Sequence, residues 1–180
     1  MLTITLPDGS VREVTRGTTP LEIARSIGER LAKQTVAARL DDVLVDATLP
    51  IEKDCRLQLI TLNTPEGLDI YRHSTAHLMA HAVKELFGKK VQVTIGPAIE
   101  NGFYYDFYSP EHTFSPEDFE KIEKKMAELA TANLPIERQA VSSDEAIRLF
   151  EGMGECYKVE LIRDLGASEV SLYRQGTFVD

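Results

Sequence analysis

The sequence predicts an α+β protein built from two consecutive domains, and three observations lead to that expectation. Hydrophobic residues make up 43% of the 180 residues, which is enough for packed cores. Short alternating segments, typical of strands, are interspersed with segments whose apolar residues recur at helical spacing. Pro65 and Gly67 mark a connector at 62–67, so we expect domains over residues 1–62 and 63–180.

The N-terminal domain has the pattern of two hairpins, one helix and a closing strand. Asp8–Gly9 joins two alternating segments, which is a strong hairpin signal. In the expected helix, which keeps its apolar spacing to Leu31, Thr19 is the N-cap and Pro20 the first helical residue. Glu22 completes a capping box with Thr19. A small sheet crossed by one helix is the β-grasp arrangement.

The C-terminal domain has a mixed α+β pattern. A long helix is expected to end near Phe87, where Gly88 follows. Ser115-Pro116 opens a further helix, and Ser142 begins a short one. The remaining expected elements are strands over 91–95 and 103–108, a helix over 156–165 and an extended pair over 170–180.

The net charge of −9 is unevenly distributed. Residues 1–62 carry 8 Lys/Arg against 9 Asp/Glu (−1), and residues 63–180 carry 12 against 20 (−8). Because phosphate neutralisation supplies most non-specific affinity, the C-terminal domain is not expected to hold a long duplex unaided, although a nucleic-acid end could enter a pocket. Two separated cysteines, no signal-like start and no apolar run near ~20 residues predict a reduced, cytoplasmic protein that does not span a membrane.

Three of the four histidines, His73, His77 and His81, recur every four residues on one expected helix. The apolar residues occupy the opposite side, so the row is not expected to face a core. Three interpretations remain: solvated polar residues, a metal face, or an acid–base relay. His-x-x-x-His is a known zinc-binding pattern, but two ligands are too few and the Glu of the zinc-protease motif is missing. The spacing does not decide between metal binding and proton transfer.

Four segments together resemble the N-terminal region of bacterial threonyl-tRNA synthetases over the whole chain: HSTAHLMAHAVKELF, TIGPAIENGFYYDF, YKVELI and ITLPDGS. The resemblance implies a TGS domain of β-grasp fold over 1–62 and an editing domain over 63–180, which hydrolyses serine mischarged onto threonine tRNA. In that family a Cys-x-Gly-Pro-His segment follows directly after the position of Asp180. We therefore expect a truncated editing domain that is weakly active or inactive alone, with ATP and zinc belonging to an aminoacylation core outside this chain.

The resemblance assigns catalytic roles to four residues, His73, His77, Lys158 and Asp180, and a pocket-lining position to Tyr104. Gly96 and Pro97 are expected to contribute their backbone to substrate binding. Lys158 would stabilise an oxyanion or hold a water, Asp180 would bind the substrate ammonium, and the histidines would orient water or ribose hydroxyls. Simpler alternatives are a solvated Lys158, a core Tyr104, and loop geometry alone for the glycine and proline. His81 has no matched role and is expected on the flanking surface or just behind the site. No metal or cofactor is expected in this chain.

The expected partner is the 3′ end of threonine tRNA carrying serine, and the longer protein is expected to be a homodimer. Editing has a physical reason, because serine lacks only one methyl group and discrimination by size is worth ~1–3 kcal/mol. Two alternatives remain open. One is a TGS-containing regulatory or RNA-binding module without catalysis, and the other is a zinc-dependent editing hydrolase of the alanyl type.

Overall fold

The computed structural model describes residues 1–88 and 90–180 and divides into two compact units. The first unit is Met1–Arg72 and the second unit is His73–Asp180. The helix Pro65–Phe87 crosses this division, so the first unit includes the beginning of that helix. The predicted domain boundary at 62/63 lies ten residues before this division and stays a prediction.

The first unit is a five-stranded sheet with two short helices. Its elements are β1 (Leu2–Thr5), β2 (Val11–Val14), α1 (Pro20–Ile27), α2 (Glu29–Gln34), β3 (Thr35–Leu40), β4 (Val43–Asp46) and β5 (Cys55–Thr61). The strand order is β2-β1-β5-β3-β4, with β1 and β5 parallel and the other neighbours antiparallel. The α+β class predicted from the sequence is confirmed.

Local sequence signals explain the helix and turns of this unit. The Thr19 hydroxyl accepts a hydrogen bond from the Glu22 amide, and the Glu22 carboxylate accepts one from the Thr19 amide, which confirms the capping box. The prediction that one helix continues to Leu31 is wrong, because extended Gly28 separates α1 from α2. The β3–β4 hairpin turns at Asp41–Asp42, where both residues have positive φ, as a type I′ turn requires.

The core of the first unit is aliphatic. Its buried cluster consists of Ile4, Ile23, Ala38, Ile51, Cys55 and Leu57. Burying a large side chain of this kind contributes about 1.5–3 kcal/mol. Apolar burial therefore stabilises this sheet without help from buried charge.

The second unit combines one long helix, several short strand pairs and a three-stranded sheet. Its elements are α3 (Pro65–Phe87, from His73 onward), β6 (Gln92–Val93), β7 (Ala98–Ile99), β8 (Gly102–Phe103), β9 (Phe107–Tyr108), α4 (Glu117–Ala132), β10 (Ile136–Ser142), α5 (Ser143–Met153), α6 (Cys156–Leu165), β11 (Glu169–Gln175) and β12 (Phe178–Val179). The predicted strands over 91–95 and 103–108 are two-residue pieces, β6 pairing with β9 and β7 with β8. None of the helices within the described residues is long and apolar enough to span a membrane.

The register of the β10-β11-β12 sheet separates its two faces. Arg174 lies opposite Val179, and Gln175 lies opposite Phe178. Side chains alternate along a strand, so Val179 shares one face with Leu172, and both pack in the core cluster that includes α5 and α6 residues. The opposite face carries Gln175, Phe178 and the residue after β12, Asp180. That face contacts the histidine row of α3.

Candidate active site

Asp180 is the centre of a buried polar cluster in the second unit. Its amide donates to the Tyr173 carbonyl at 2.9 Å, and its own carbonyl accepts from the Tyr173 amide at 2.7 Å. The β11–β12 pairing thus continues one residue beyond β12. The side chain of Asp180 is only 5% exposed, so its carboxylate depends on protein partners in place of water.

Three side chains from three parts of the second unit satisfy that carboxylate. The Lys158 ammonium on α6 pairs with Oδ1. The Tyr105 hydroxyl donates to Oδ2 at 2.6 Å, and His77 Nδ1 on α3 lies 3.2 Å from the same oxygen. Because Lys158 is itself mostly buried, the pair is shielded from solvent, and losing either partner would leave an uncompensated charge.

His73 connects this cluster to the surface. Its Nε2 lies 3.0 Å from His77 Nε2, and the two ring centroids are 4.5 Å apart. When His77 Nδ1–H donates to Asp180, His77 Nε2 is free to accept the Nε2–H of His73. His73 is exposed and His77 is half-buried, so the line from His73 through His77 to Asp180 runs from solvent into the protein.

Burial keeps His77 neutral at physiological pH. Desolvation lowers the pKa of His77 below its ordinary value, and the charges of His73 and Lys158 lower it further, against the opposing effect of Asp180. A neutral imidazole can accept a proton at working pH. The geometry therefore suits His77 to accepting or relaying a proton.

Tyr105 is a hydrogen-bond donor to Asp180. Burial, followed by the adjacent Asp180 charge, raises the pKa of the Tyr105 phenol far above its ordinary value. The Lys158 ammonium lies 5.9 Å from the centroid of the Tyr105 ring, within the range of a cation–π contact. Tyr105 thus orients both Asp180 and Lys158.

Gly96 allows the loop to approach the Tyr105 ring closely. A Cβ atom on Gly96 would lie 2.3 Å from Tyr105 Cδ2 and 2.7 Å from the Tyr104 carbonyl oxygen. The neighbouring Pro97 is exposed and its carbonyl accepts the Tyr104 amide at 3.1 Å. Any side chain at Gly96 would displace the tyrosine ring, so the glycine acts on the site through Tyr105.

The structure brings together the four residues assigned catalytic roles, His73, His77, Lys158 and Asp180. The alternative of a solvated Lys158 is wrong, since its side chain is 12% exposed. Whether these four residues act in catalysis stays a prediction.

The neighbouring tyrosines have opposite surroundings. Tyr104 is 64% exposed, so the alternative of a core Tyr104 is wrong, and Tyr105 is the residue that contacts Asp180. Tyr105 was not predicted from the sequence, although a signal was present. Aromatic residues occupy every second position at Phe103, Tyr105 and Phe107, a spacing that predicts one shared face of an extended segment. All three are half-buried in the structure. Substrate contacts by Tyr104, Gly96 and Pro97 stay predictions.

His81 lies in a different environment from the one expected. It is 1% exposed, so the flanking-surface position is wrong, and the expectation that the row lies off the core-facing side is wrong for this residue, whereas His73 is exposed. The reason is long-range, because the β11–β12 hairpin covers this side of α3 through Gln175 and Phe178. Helical periodicity alone does not indicate such a cover.

The described part of the chain, 1–88 and 90–180, contains no group of three or more His, Cys, Asp or Glu side chains arranged to hold a metal ion. His73 and His77 instead direct their Nε2 atoms at one another.

Comparison with known proteins agrees with the sequence patterns in both units. A family model for the TGS domain matches residues 2–61. The threonine–tRNA ligase of Syntrophotalea carbinolica is 64% identical over 180 residues, which is 100% of this chain and 28% of that protein. Those of Citrifermentans bemidjiense and Coxiella burnetii are 57% and 54% identical, covering 99% and 100% of this chain and 28% of each relative.

The chain spans about 28% of the length of these curated relatives. The TGS match confirms the predicted β-grasp domain. The similarity to threonine–tRNA ligases thus extends through both units, at 54–64% identity.

Proposed function

We propose that the second unit is an editing site that hydrolyses the ester of serine mischarged onto threonine tRNA. One observation carries the proposal: His77, Lys158 and Tyr105 converge on the buried carboxylate of Asp180, with His73 leading to the surface. Such a cluster supplies a proton acceptor, a fixed cation and an anchored anion in one place, as attack of water on an ester carbonyl requires.

Each group has a distinct task in this reaction. The exposed His73 orients the attacking water or a ribose hydroxyl and takes the proton of the water, while its own Nε2 proton passes to neutral His77. The proton returns to the ribose oxygen that leaves when the ester C–O bond breaks. The Lys158 ammonium stabilises the negative charge that develops on the carbonyl oxygen. Because these roles belong to different side chains, substituting one side chain at a time tests each role separately.

Asp180 retains capacity to bind the substrate ammonium. A carboxylate has about four acceptor positions. Lys158 occupies one on Oδ1, whereas Tyr105 and His77 both approach Oδ2. We assign the remaining position on Oδ1 to the α-ammonium of the seryl group, which fixes its carbonyl near Lys158.

The selectivity of such a site depends on one methyl group. Serine is smaller than threonine, and excluding a methyl group by size is worth ~1–3 kcal/mol per passage. A second site that hydrolyses only the smaller ester multiplies that discrimination. We therefore expect the proposed site to accept serine and reject threonine.

For the longer protein, we propose the activity that the relatives' name states, the joining of threonine to tRNA, with ATP and zinc used outside this segment. We further propose a cytoplasmic homodimer. Within this segment we assign hydrolysis to the side chains alone, because His73 and His77 use their facing nitrogens on one another. Deacylation should then be unchanged by a chelator that strips weakly held zinc, and loss of activity on chelation would contradict this assignment.

The direct test is deacylation of purified Ser-tRNA and Thr-tRNA, both on threonine tRNA, by the full-length ligase that carries this segment. We expect release of serine and sparing of threonine. Asp180→Asn should slow serine release by about 10²-fold or more, as for other groups that position charge in a site. Asp164→Asn, near the C-terminal end of α6, is the control, because it makes the same chemical change at an exposed aspartate. Equal release of both amino acids, or an unaffected Asp180→Asn variant, would refute the proposed site.

A further inference from the structure

The third histidine of the row has no task in the proposed hydrolysis, yet it is the most buried of the three. His81 is 1% exposed, and its Nδ1 forms a hydrogen bond with Gln175 Oε1 at 3.2 Å. Its ring stacks on Phe178, with centroids 5.2 Å apart and an interplanar angle of 12°. A buried imidazole with two specific contacts to one hairpin suggests that it holds that hairpin.

The two residues it contacts define the register of the β11–β12 hairpin. Gln175 and Phe178 are opposite one another and flank the turn. Two residues further along the same face of the strand lies Asp180, which pairs with Tyr173. His81 therefore contacts the turn end of the hairpin, and His77 contacts its catalytic end.

The spacing of the helix matches the spacing of the strand. His77 and His81 are separated by about 6 Å along the helix axis, at ~1.5 Å per residue. Phe178 and Asp180 are separated by about 6.6 Å along an extended chain, at ~3.3 Å per residue. Two successive histidines thus meet two successive side chains on one strand face, and a shift in the hairpin would move both contacts together.

We propose that His81 is a positioning residue that fixes the register of the β11–β12 hairpin against α3, so that the Asp180 carboxylate stays within reach of His77. The inference rests on the proposed function where it concerns hydrolysis. Its structural part, the restraint of Asp180 through Gln175 and Phe178, is independent of any reaction.

The other ring nitrogen provides an internal control. His81 Nε2 lies 3.2 Å from Glu85 Oε1, a contact that is an ion pair when the imidazole is protonated, and it has no other partner among the described residues. The other oxygen of this carboxylate, Oε2, pairs with Lys125 at 2.8 Å. Because Glu85 lies on α3 itself, four residues after His81, its contact does not join the helix to the hairpin, and the positioning contact is on the hairpin side of the ring.

The test uses two variants that remove the same hydrogen bond from opposite ends. His81→Phe keeps a ring against Phe178 and loses Nδ1, whereas Gln175→Met keeps the length of the side chain and loses the acceptor without emptying the core. We expect each to accelerate hydrogen exchange at the Tyr173 and Asp180 amides of the 180-residue chain by about tenfold. That factor corresponds to the free energy of one lost hydrogen bond. In the double variant the effects should not multiply, since both substitutions break one contact.

The same variants in the full-length ligase give the kinetic readout. For Ser-tRNA, each should lower kcat by about tenfold and leave KM within about twofold, because misplaced groups weaken the transition state more than binding. His81→Asn, which retains a donor near the position of Nδ1, should recover part of kcat. Glu85→Gln should match the parent in both readouts.

Several results would overturn the inference: exchange at Tyr173 and Asp180 unchanged in both single variants, multiplicative losses in the double variant, or a Glu85→Gln variant as impaired as His81→Phe. If the parent ligase does not hydrolyse Ser-tRNA, the proposed function fails, but the exchange measurements still decide whether His81 restrains the hairpin.

Discussion

The two units differ in where they place charge. In the first unit, ion pairs such as Arg16–Glu52 lie on the surface, with side chains 69% and 57% exposed. Among its described residues, the second unit instead buries the pairs Lys84–Glu155 and Lys158–Asp180. Burying an ion costs several kcal/mol before any pairing is counted. The buried charges thus lower the stability of the second unit but hold charged groups in fixed positions. Fixed charged groups are expected in a reactive site.

The largest effect should come from breaking one buried pair. Lys84 donates to Glu155 and to the Val91 carbonyl, and Glu155 also accepts the Val93 amide at 3.2 Å. Lys84→Met leaves the Glu155 carboxylate buried without its cation and should lower the free energy of unfolding by about 3–5 kcal/mol. Urea unfolding of the 180-residue chain, followed by circular dichroism, measures the change.

The matched substitution in the first unit is Arg16→Met. Because the Arg16–Glu52 pair is exposed, its loss should cost at most about 1 kcal/mol. If the two substitutions destabilise the chain equally, burial of charge does not distinguish the units.

The second effect in size concerns hydrolysis in the full-length ligase. Lys158→Met removes the cation beside Asp180, and His73→Ala removes the exposed end of the imidazole pair. Each should slow deacylation of Ser-tRNA by about 10²-fold or more, as is typical for groups that stabilise charge or transfer protons. Single-turnover deacylation rates measure these losses.

A lysine substitution elsewhere in the second unit controls for general damage. Lys124 on α4 is exposed, so Lys124→Met should leave the rate unchanged within about twofold. Comparable losses in all three variants would indicate that the second unit is destabilised as a whole and that the cluster has no special role.

Contacts between residues close in the chain can be predicted from the sequence, whereas contacts between distant residues cannot. The capping box of Thr19 and Glu22 is local, and the N-cap of α5 is equally local, since Ser142 Oγ accepts the Glu145 amide at 3.2 Å. Both follow from residues three apart. The interior of the second unit depends on contacts such as Tyr105 to Asp180, which lie 75 positions apart in the chain. No local pattern encodes such a contact.

The residues of the candidate site illustrate this limit. The resemblance to synthetases selected Asp180 and Lys158, although charge and spacing alone would not have paired them. It selected Tyr104, whereas the structure places the neighbouring Tyr105 against the carboxylate and leaves Tyr104 exposed. His81 was misplaced because a helical pattern does not reveal which element will cover it.

A smaller effect should appear in the pH dependence of stability. All four histidines lie in the second unit. The pKa of His77 is lowered in the folded chain, chiefly by burial, with His73, Lys158 and Asp180 as its charged neighbours. As pH falls below about 6.5, His77 binds a proton in the unfolded chain but not yet in the folded chain. The contribution of His77 to stability is therefore fully present above that pH and is lost as the pH falls.

Urea titrations at intervals from pH 8 to pH 5 test this sign. His77→Gln keeps a hydrogen-bonding side chain and removes the titrating group, so its stability should fall less steeply toward acid than that of the parent chain. If the variant and parent have parallel profiles, His77 is not the group that links protons to folding.

The smallest effect should come from removing most of the first unit. The aliphatic cluster of the first unit contains residues up to Cys55 and Leu57, whereas the cluster around Phe150 draws only on residues from Val141 onward. A shortened chain of residues 63–180 keeps all of α3 and should melt cooperatively, since each unit has its own core. Differential scanning calorimetry should place its midpoint within a few degrees of the second-unit transition in the whole chain, a shift that corresponds to less than about 1 kcal/mol.

A chain of residues 73–180, which begins inside α3, is the matched comparison. It removes the first turns of the helix that carries His73 and His77, and its melting midpoint should be lower. If residues 63–180 give no cooperative transition, the second unit depends on the first, and charge placement in the two units cannot be treated as independent.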